Sequence, residues 1–145
     1  MHTNRVNISE FSRATAVVPS RVFDAWADPV AWPHWDLSIK SVQFTGPTQL
    51  GATGRLIPMA GPPSKFTITD LVADRVLTNT SRLPGARLDF IHQVEPRVDH
   101  HVVSVTVCIV GPLARMWGGL LRTSLAGSAP TSVNGLVDML ERSQP

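Results

Sequence analysis

Between Ser38 and Val110, apolar and polar residues alternate in short runs that are bounded by glycine, proline, aspartate or asparagine. Alternation with a period of two is typical of strands that bury one face. The runs predict six strands: Ile39–Phe44, Gly54–Pro58, Lys65–Val72, Arg75–Arg82, Ala86–Glu95 and His101–Val110. The connections between the later strands are short enough for hairpins, so we expect an antiparallel meander.

A further strand is predicted at the start of the chain, over Arg5–Val18, because apolar residues alternate there as well. Phe11 falls out of that alternation, which predicts a bulge near Ser9–Phe11. Ser20 is a suitable N-cap for a short helix that ends at Asp28-Pro29, because the residue before a proline avoids the helical region. A second short helix is predicted over Val30–Trp35.

The last third of the chain changes to the three- and four-residue spacing of an amphipathic helix. The apolar positions are Leu113, Met116, Trp117, Leu120, Leu121 and Leu125. Gly127–Pro130 should kink or interrupt this helix, and Thr131–Arg142 resumes the pattern. The element order is thus strand, two short helices, six strands and a long kinked C-terminal helix.

Strands followed by a long helix predict an α+β fold, with a curved seven-stranded antiparallel sheet. The C-terminal helix is the only element long enough to cover the concave face of that sheet. The chain has 145 residues and contains no repeat, low-complexity tract or linker, which predicts a single domain over residues 1–145.

Composition narrows the function classes. The chain has thirteen Lys and Arg and eleven Asp and Glu, and the basic residues form no run. We therefore expect no nucleic-acid partner. Cys108 is the single cysteine, which excludes an internal disulfide and a zinc site built from several cysteines. No apolar stretch approaches the ~18 residues of a membrane span, and Met1–Thr15 lacks the apolar core of a secretory signal. These features predict a cytoplasmic protein.

His92 is the first candidate for chemistry. It shares the apolar face of its predicted strand with Leu88, Phe90 and Val94, so it should point inward. An inward histidine can act as a general acid or base, or it can be a cavity-wall residue that is hydrogen-bonded to a neighbour. Asp36 is a candidate carboxylate partner for His92, although it fits equally well as a turn residue.

Aromatic and aliphatic residues provide candidate ligand contacts. Trp35 could stack on a planar ligand or pack as an aromatic lid on the core. Phe90 joins His92 on the sheet, and the helix candidates are Met116, Trp117, Leu120 and Leu121. Periodicity alone does not distinguish pocket lining from core packing. The chain carries no metal motif, glycine-rich phosphate loop or serine nucleophile elbow, so we expect neither a metal nor another cofactor.

Three segments carry a resemblance to a known superfamily: Pro19–Phe23, Trp26–Pro29 and Trp32–Asp36. Together with the strand around His92 and the interrupted last helix, they make the chain resemble the START-like, or Bet v 1-like, helix-grip superfamily. Within it the chain resembles the bacterial polyketide cyclase/dehydrase-type proteins, and the resemblance covers about Arg5–Leu140. The resemblance implies a deep cavity between the sheet and the last helix.

Relatives in that superfamily bind lipids, polyketides, steroids or plant hormones, some cyclise or dehydrate polyketides, and others are co-chaperones or toxins. The leading hypothesis is therefore that the chain, as a monomer or homodimer, binds a hydrophobic small molecule such as a lipid or a polyketide-like compound. One alternative is a cyclase/dehydratase-type enzyme that uses His92 as acid or base. The other is a protein-interaction module of the co-chaperone kind.

Overall fold

The computed structural model describes residues 4–143, which form an open antiparallel sheet of seven strands with helices against its concave face. The strands are β1 (Arg5–Thr15), β2 (Ile39–Phe44), β3 (Thr53–Pro58), β4 (Ser64–Val72), β5 (Val76–Leu83), β6 (Ala86–Pro96) and β7 (His101–Val110). Their order in the sheet is β1-β7-β6-β5-β4-β3-β2. The meander therefore closes back on the first strand, which pairs with the last.

Four helical segments accompany the sheet. They are α1 (Pro19–Trp26), a 3₁₀ helix (Pro29–His34), α2 (Ala114–Leu125) and α3 (Ser128–Arg142). The N-cap of α1 is Val18, not Ser20 as predicted, because Pro19 occupies the first helical position, where its preset backbone angle is favourable. The second short helix is of the 3₁₀ type, with Pro33 inside it.

The predicted α+β helix-grip architecture is confirmed, including the interruption of the C-terminal helix. The break lies at Ala126–Gly127, between α2 and α3. Pro130 falls in the first turn of α3, where a missing backbone N–H costs no helical hydrogen bond. Among residues 4–143, no helix combines the length and the apolar character needed to cross a membrane.

A bulge in β1 changes which of its residues face the helices. The pairing with β7 shifts between Asn7 and Ser9, slightly earlier than predicted. Beyond the shift, Arg13 faces α3, and its guanidinium donates to Asn134 at 3.0 Å and to Asp138 at 2.8 Å. Ala14, the apolar residue that follows Arg13, is exposed.

The C-terminal helix α3 is packed tightly. It buries Val133, Leu136 and Val137 almost completely. Gly135 lies against the backbone that follows the 3₁₀ helix, and a Cβ at this position would overlap the carbonyl oxygen of Trp35. This close approach holds Trp35 and its neighbour Asp36 against the helix.

Candidate functional site

A cavity of about 350 Å³ lies between the concave face of the sheet and the junction of α2 with α3. We call it the inner compartment. Its walls are formed by the 3₁₀ helix and the start of β2, by β5 and β6 on the sheet side, and by the helix junction opposite. Representative wall residues are Trp32, Trp35, Asn79, Phe90, His92 and Ser132.

A second space of about 710 Å³ adjoins the first, and we call it the outer compartment. Leu56, Asn79, Phe90 and Leu125 line both compartments. The outer compartment continues past Leu121 of α2 towards the β3–β4 loop and the neighbouring parts of β4 and β5. Together the two have the size of a typical small-molecule site.

His92 lies in the inner wall with a defined hydrogen bond. Its Nδ1 is 2.9 Å from the carbonyl oxygen of Leu77. Because a carbonyl only accepts, Nδ1 carries the proton and donates it, which leaves Nε2 as an acceptor. Among the described residues, Nε2 has no hydrogen-bond partner.

Burial controls the charge of His92. Removal of the ring from water lowers its pKa to about 4, against the opposing effect of the Leu77 carbonyl. The ring is enclosed by Trp26, whose centroid is 5.4 Å away, and by Trp32 at 6.4 Å. His92 is therefore neutral at pH 7, where it acts as a hydrogen-bond acceptor and only as a weak base.

Asp36 also lines the inner compartment, and its carboxylate is engaged with Ser38. Oδ1 accepts from the Ser38 hydroxyl at 2.6 Å and from the Ser38 backbone N–H at 3.0 Å. Burial raises the pKa of Asp36, while the Ser38 contacts oppose that rise. The hydrogen bonds are those of a turn residue, and the position on the cavity wall is that of a potential acid–base group.

Among residues 4–143, two residues of the inner wall each have one buried polar atom without a hydrogen-bond partner. These atoms are Nε1 of Trp35, a donor, and Oδ1 of Asn79, an acceptor. Their side chains belong to residues that are only 5% and 4% exposed. A buried polar atom without a partner costs about 1–3 kcal/mol, so the two atoms lower the stability of this wall.

The candidate ligand contacts are divided between the cavity and the surface. Trp35, Phe90 and His92 line the inner compartment, and Leu121 lines the outer one. Met116 and Leu120 lie outside both and are 48% and 66% exposed.

Trp117 also lies outside both compartments, with its Nε1 donating to the Pro84 carbonyl at 2.8 Å. The physical reason for these placements is the rotation of α2. Its fully buried residues are the small Ala114 and Gly118, and Gly118 approaches Val6 of β1 closely.

Several wall residues were missed by the sequence analysis. Asn79 follows Leu77 by two positions, so strand alternation places both on the inner face. On the helix side, the small polar residues Ser124, Ser128 and Ser132 recur every four positions across the break and all line the inner compartment. Within residues 4–143, His, Cys, Asp and Glu side chains nowhere gather in groups of three suited to a metal ion.

Sequence comparison aligns only a short part of this chain with known proteins. No family model matches the chain. An uncharacterised protein of Mycobacterium tuberculosis (strain ATCC 25618 / H37Rv) is 43% identical over 47 residues, which is 32% of this chain. The match covers 28% of that protein, so the chain spans less than a third of the curated relatives it matches.

Comparison of structures identifies the fold. The aromatase/cyclase ZhuI from Streptomyces sp. R1128 matches with a TM-score of 0.67 and 15% identity, over 97% of this chain and 95% of its own. A START superfamily protein from Mycobacterium smegmatis matches with a TM-score of 0.67 and 13% identity, over 97% and 99%. Ara h 8.0201 matches with a TM-score of 0.69 and 12% identity, over 98% and 100%. The chain therefore has the helix-grip fold of START-like and Bet v 1-like proteins.

Proposed function

We propose that this protein binds a hydrophobic small molecule, of lipid or polyketide-like character, in the inner and outer compartments. The observation that carries the proposal is a largely apolar cavity whose inner wall includes a few polar side chains, among them Asn79, His92 and Ser132. Apolar walls with a few convergent polar groups are typical of sites that bind and orient small ligands.

The wall chemistry suggests how such a ligand lies. Its apolar body packs between Phe90 on the sheet and Leu125 on α2, both of which line the two compartments. A hydroxyl or amide on the ligand donates to His92 Nε2, since Nδ1 of the same ring is bonded to the Leu77 carbonyl. This pairing gives Nε2 a hydrogen bond and fixes the orientation of the ligand.

A fluorescence titration with N-phenylnaphthylamine, a neutral aromatic probe, tests the proposal. The wild-type protein should bind it saturably with one site. Ser132→Phe should weaken binding at least tenfold, because Ser132 is 5% exposed and lies in the inner wall. Ser132→Ala is the matched control and should bind as the wild type does.

A second variant that fills the cavity keeps the test valid if Ser132→Phe fails to fold. Gly127 lines the inner compartment, has an ordinary negative φ, and a Cβ there would meet no atom within 4 Å. Gly127→Phe should therefore fold normally and also weaken the probe. Absence of saturable binding to the wild type, or equal binding by both filled variants that retain their circular dichroism, contradicts the proposal.

A cyclase/dehydratase-type activity is a second candidate, favoured because His92 and Asp36 both line the inner compartment. ZhuI, which shares the fold, is named as an aromatase/cyclase. The low pKa of His92 makes the neutral ring a proton acceptor in this candidate. With a cyclisable poly-β-carbonyl substrate, His92→Ala should abolish turnover and change affinity only modestly, whereas a binding protein shows no turnover to lose.

The remaining hypotheses from the sequence stay predictions. A protein-interaction role would use the exposed apolar residues Leu113, Met116 and Leu120 on α2. A cytoplasmic location, a single domain, a monomeric or homodimeric state, and the absence of nucleic-acid partners and cofactors are likewise predictions from composition and pattern.

A further inference from the structure

The sheet opens between β4 and β5, beside the outer compartment. The ladder that joins these strands ends at the pair Thr67–Thr80. Beyond that pair, Ser64–Phe66 stay bonded only to β3 and Ser81–Leu83 stay bonded only to β6. A register shift between Ile68 and Asp70 precedes the opening, and such a bulge bends a strand away from its partner.

The wall of the outer compartment includes residues that border this opening. It includes Phe66, which faces the interior, and Leu121 of α2. It also includes Lys65 and Arg82, which alternate with inward residues and so face the outer side of the sheet. The outer compartment therefore touches residues of both faces of the sheet at this opening, with Lys65 and Arg82 at its outer edge.

Positive charge is concentrated around the opening. Lys65 and Arg82 lie two residues past the last pair of the ladder on their respective strands, so they face each other across the opening. Arg55 lies directly opposite Lys65 on β3, and Arg87 lies directly opposite Arg82 on β6. We call these four residues the basic rim.

The basic rim has little negative charge to balance it. Arg87 bonds to Asp89 at 3.2 Å, but within residues 4–143 the other three have no ion pair with a carboxylate. No aspartate or glutamate lines the outer compartment. Like charges directly opposite each other on neighbouring strands are destabilising, so an anion between Lys65 and Arg82 would relieve their repulsion.

The geometry points to an amphipathic organic anion as the ligand, with its apolar body in the compartments and its carboxylate, sulfonate or phosphate group held between Lys65 and Arg82. This inference rests on the proposed function and adds the ligand's charge and the position of its charged end. The inner compartment contributes no cation, since its walls hold neither lysine nor arginine. The charged end therefore belongs at the rim, and the neutral end lies inside.

Two probes that differ by one group test the inference. Anilinonaphthalenesulfonate has the skeleton of N-phenylnaphthylamine plus a sulfonate. For the Lys65→Gln/Arg82→Gln double variant we expect about 5- to 30-fold weaker sulfonate binding, the effect of losing two partly solvated charge contacts. Binding of the neutral probe should stay within twofold, and added salt should weaken only the sulfonate in the wild type.

A control variant separates local charge from net charge. Arg75→Gln/Arg142→Gln removes the same two charges from exposed positions at the β4–β5 turn and the end of α3. It should bind both probes as the wild type does. An equal loss of sulfonate binding in this control, or an unchanged ratio of the two affinities in Lys65→Gln/Arg82→Gln, overturns the inference.

The remaining outcomes are also distinguishable. If neither probe binds the wild type, the proposed function itself fails. If the neutral probe binds and the sulfonate does not, the cavity stands and the inference about charge is wrong. Cosedimentation with phosphatidylglycerol vesicles that requires Lys65 and Arg82, while dissolved sulfonate ignores them, would assign the rim to a membrane surface and overturn the inference.

Discussion

The two halves of the C-terminal helical segment, α2 and α3, show similar amphipathic spacing in the sequence but pack in different ways. The helix α3 buries four large apolar side chains, Val133, Leu136, Val137 and Leu140. The helix α2 fully buries only Ala114 and Gly118. Beyond Ser132, the half with large buried residues seals the sheet, whereas the half with small ones leaves the cavity beneath its C-terminal end.

This difference shows what holds the cavity open. Gly118 brings the start of α2 against Val6 of β1, whereas Leu121 and Leu125, further along, line the compartments. The helix is thus pinned at one end by close backbone contact and at the other by its junction with α3. The positions of the small residues therefore determine the space between the sheet and α2. Four experiments test the contrast between α2 and α3.

The largest effect is expected at the close contact of α3. Gly135→Ala should lower the free energy of unfolding by about 3 kcal/mol, because the new methyl group overlaps the rigid carbonyl of Trp35. Gly119→Ala in α2 is the matched control, since a Cβ there meets no atom within 4 Å. It should raise stability by about 0.5–1 kcal/mol through helix propensity. Urea unfolding measures both, and equal effects would show that the two helices pack alike.

A pH-dependent effect of similar size is expected at His92, on the sheet beneath the cavity. Its folded pKa of about 4 lies below the ordinary 6.5, so the unfolded chain takes up the proton first. Its contribution to stability is complete above pH 6.5 and is lost as the pH falls towards 4. The expected loss is about 3 kcal/mol.

His92→Asn keeps a donor for the Leu77 carbonyl and removes the titration. The variant should therefore lose less stability than the wild type between pH 6.5 and 4 in chemical unfolding. The raised pKa of Asp36 acts with the opposite sign and is present in both proteins, so the difference between them isolates His92. Parallel pH profiles would place the imidazole in water, not in the cavity wall.

A smaller effect is expected where β1 joins the two helices. The Ser9 hydroxyl donates to the Ala126 carbonyl at 2.8 Å and accepts from the Ala129 N–H at 3.1 Å, so it bridges the break. Ser9→Ala should cost about 1–2 kcal/mol, because it leaves a buried N–H without a partner. Ser12→Ala, at an exposed position of the same strand, should stay within about 0.5 kcal/mol. Equal thermal midpoints for the two variants would exclude the bridge.

The fold was readable from the sequence because its signals are local. Alternation located all six strands of the meander, with β2 and β7 at the predicted residues, and Gly127–Pro130 marked the helix break. Fold recognition needed only these periods and their order. The position of the β1 bulge was less certain, because a shift of one residue exchanges the faces of every later side chain.

The site was only partly readable because it depends on rotation and distance. Strand alternation placed His92 and Phe90 inward, where they line the inner compartment. Helical periodicity predicted Met116 and Leu120 as ligand contacts, but both are exposed. Periodicity identifies apolar positions and does not indicate that a small residue, Gly118, faces the sheet instead. The opening between β4 and β5 results from strand pairing that ends early, and no residue pattern in the sequence indicates it.

The contrast between α2 and α3 is tested most directly by amide chemical shifts during titration with N-phenylnaphthylamine. The account predicts saturable shifts at Phe90, Leu125 and Ser132, around the inner compartment, and little change at Val137 and Leu140 in the sealed half. Shifts confined to the exposed surface of Leu113, Met116 and Leu120, or no saturable shift at all, would contradict it.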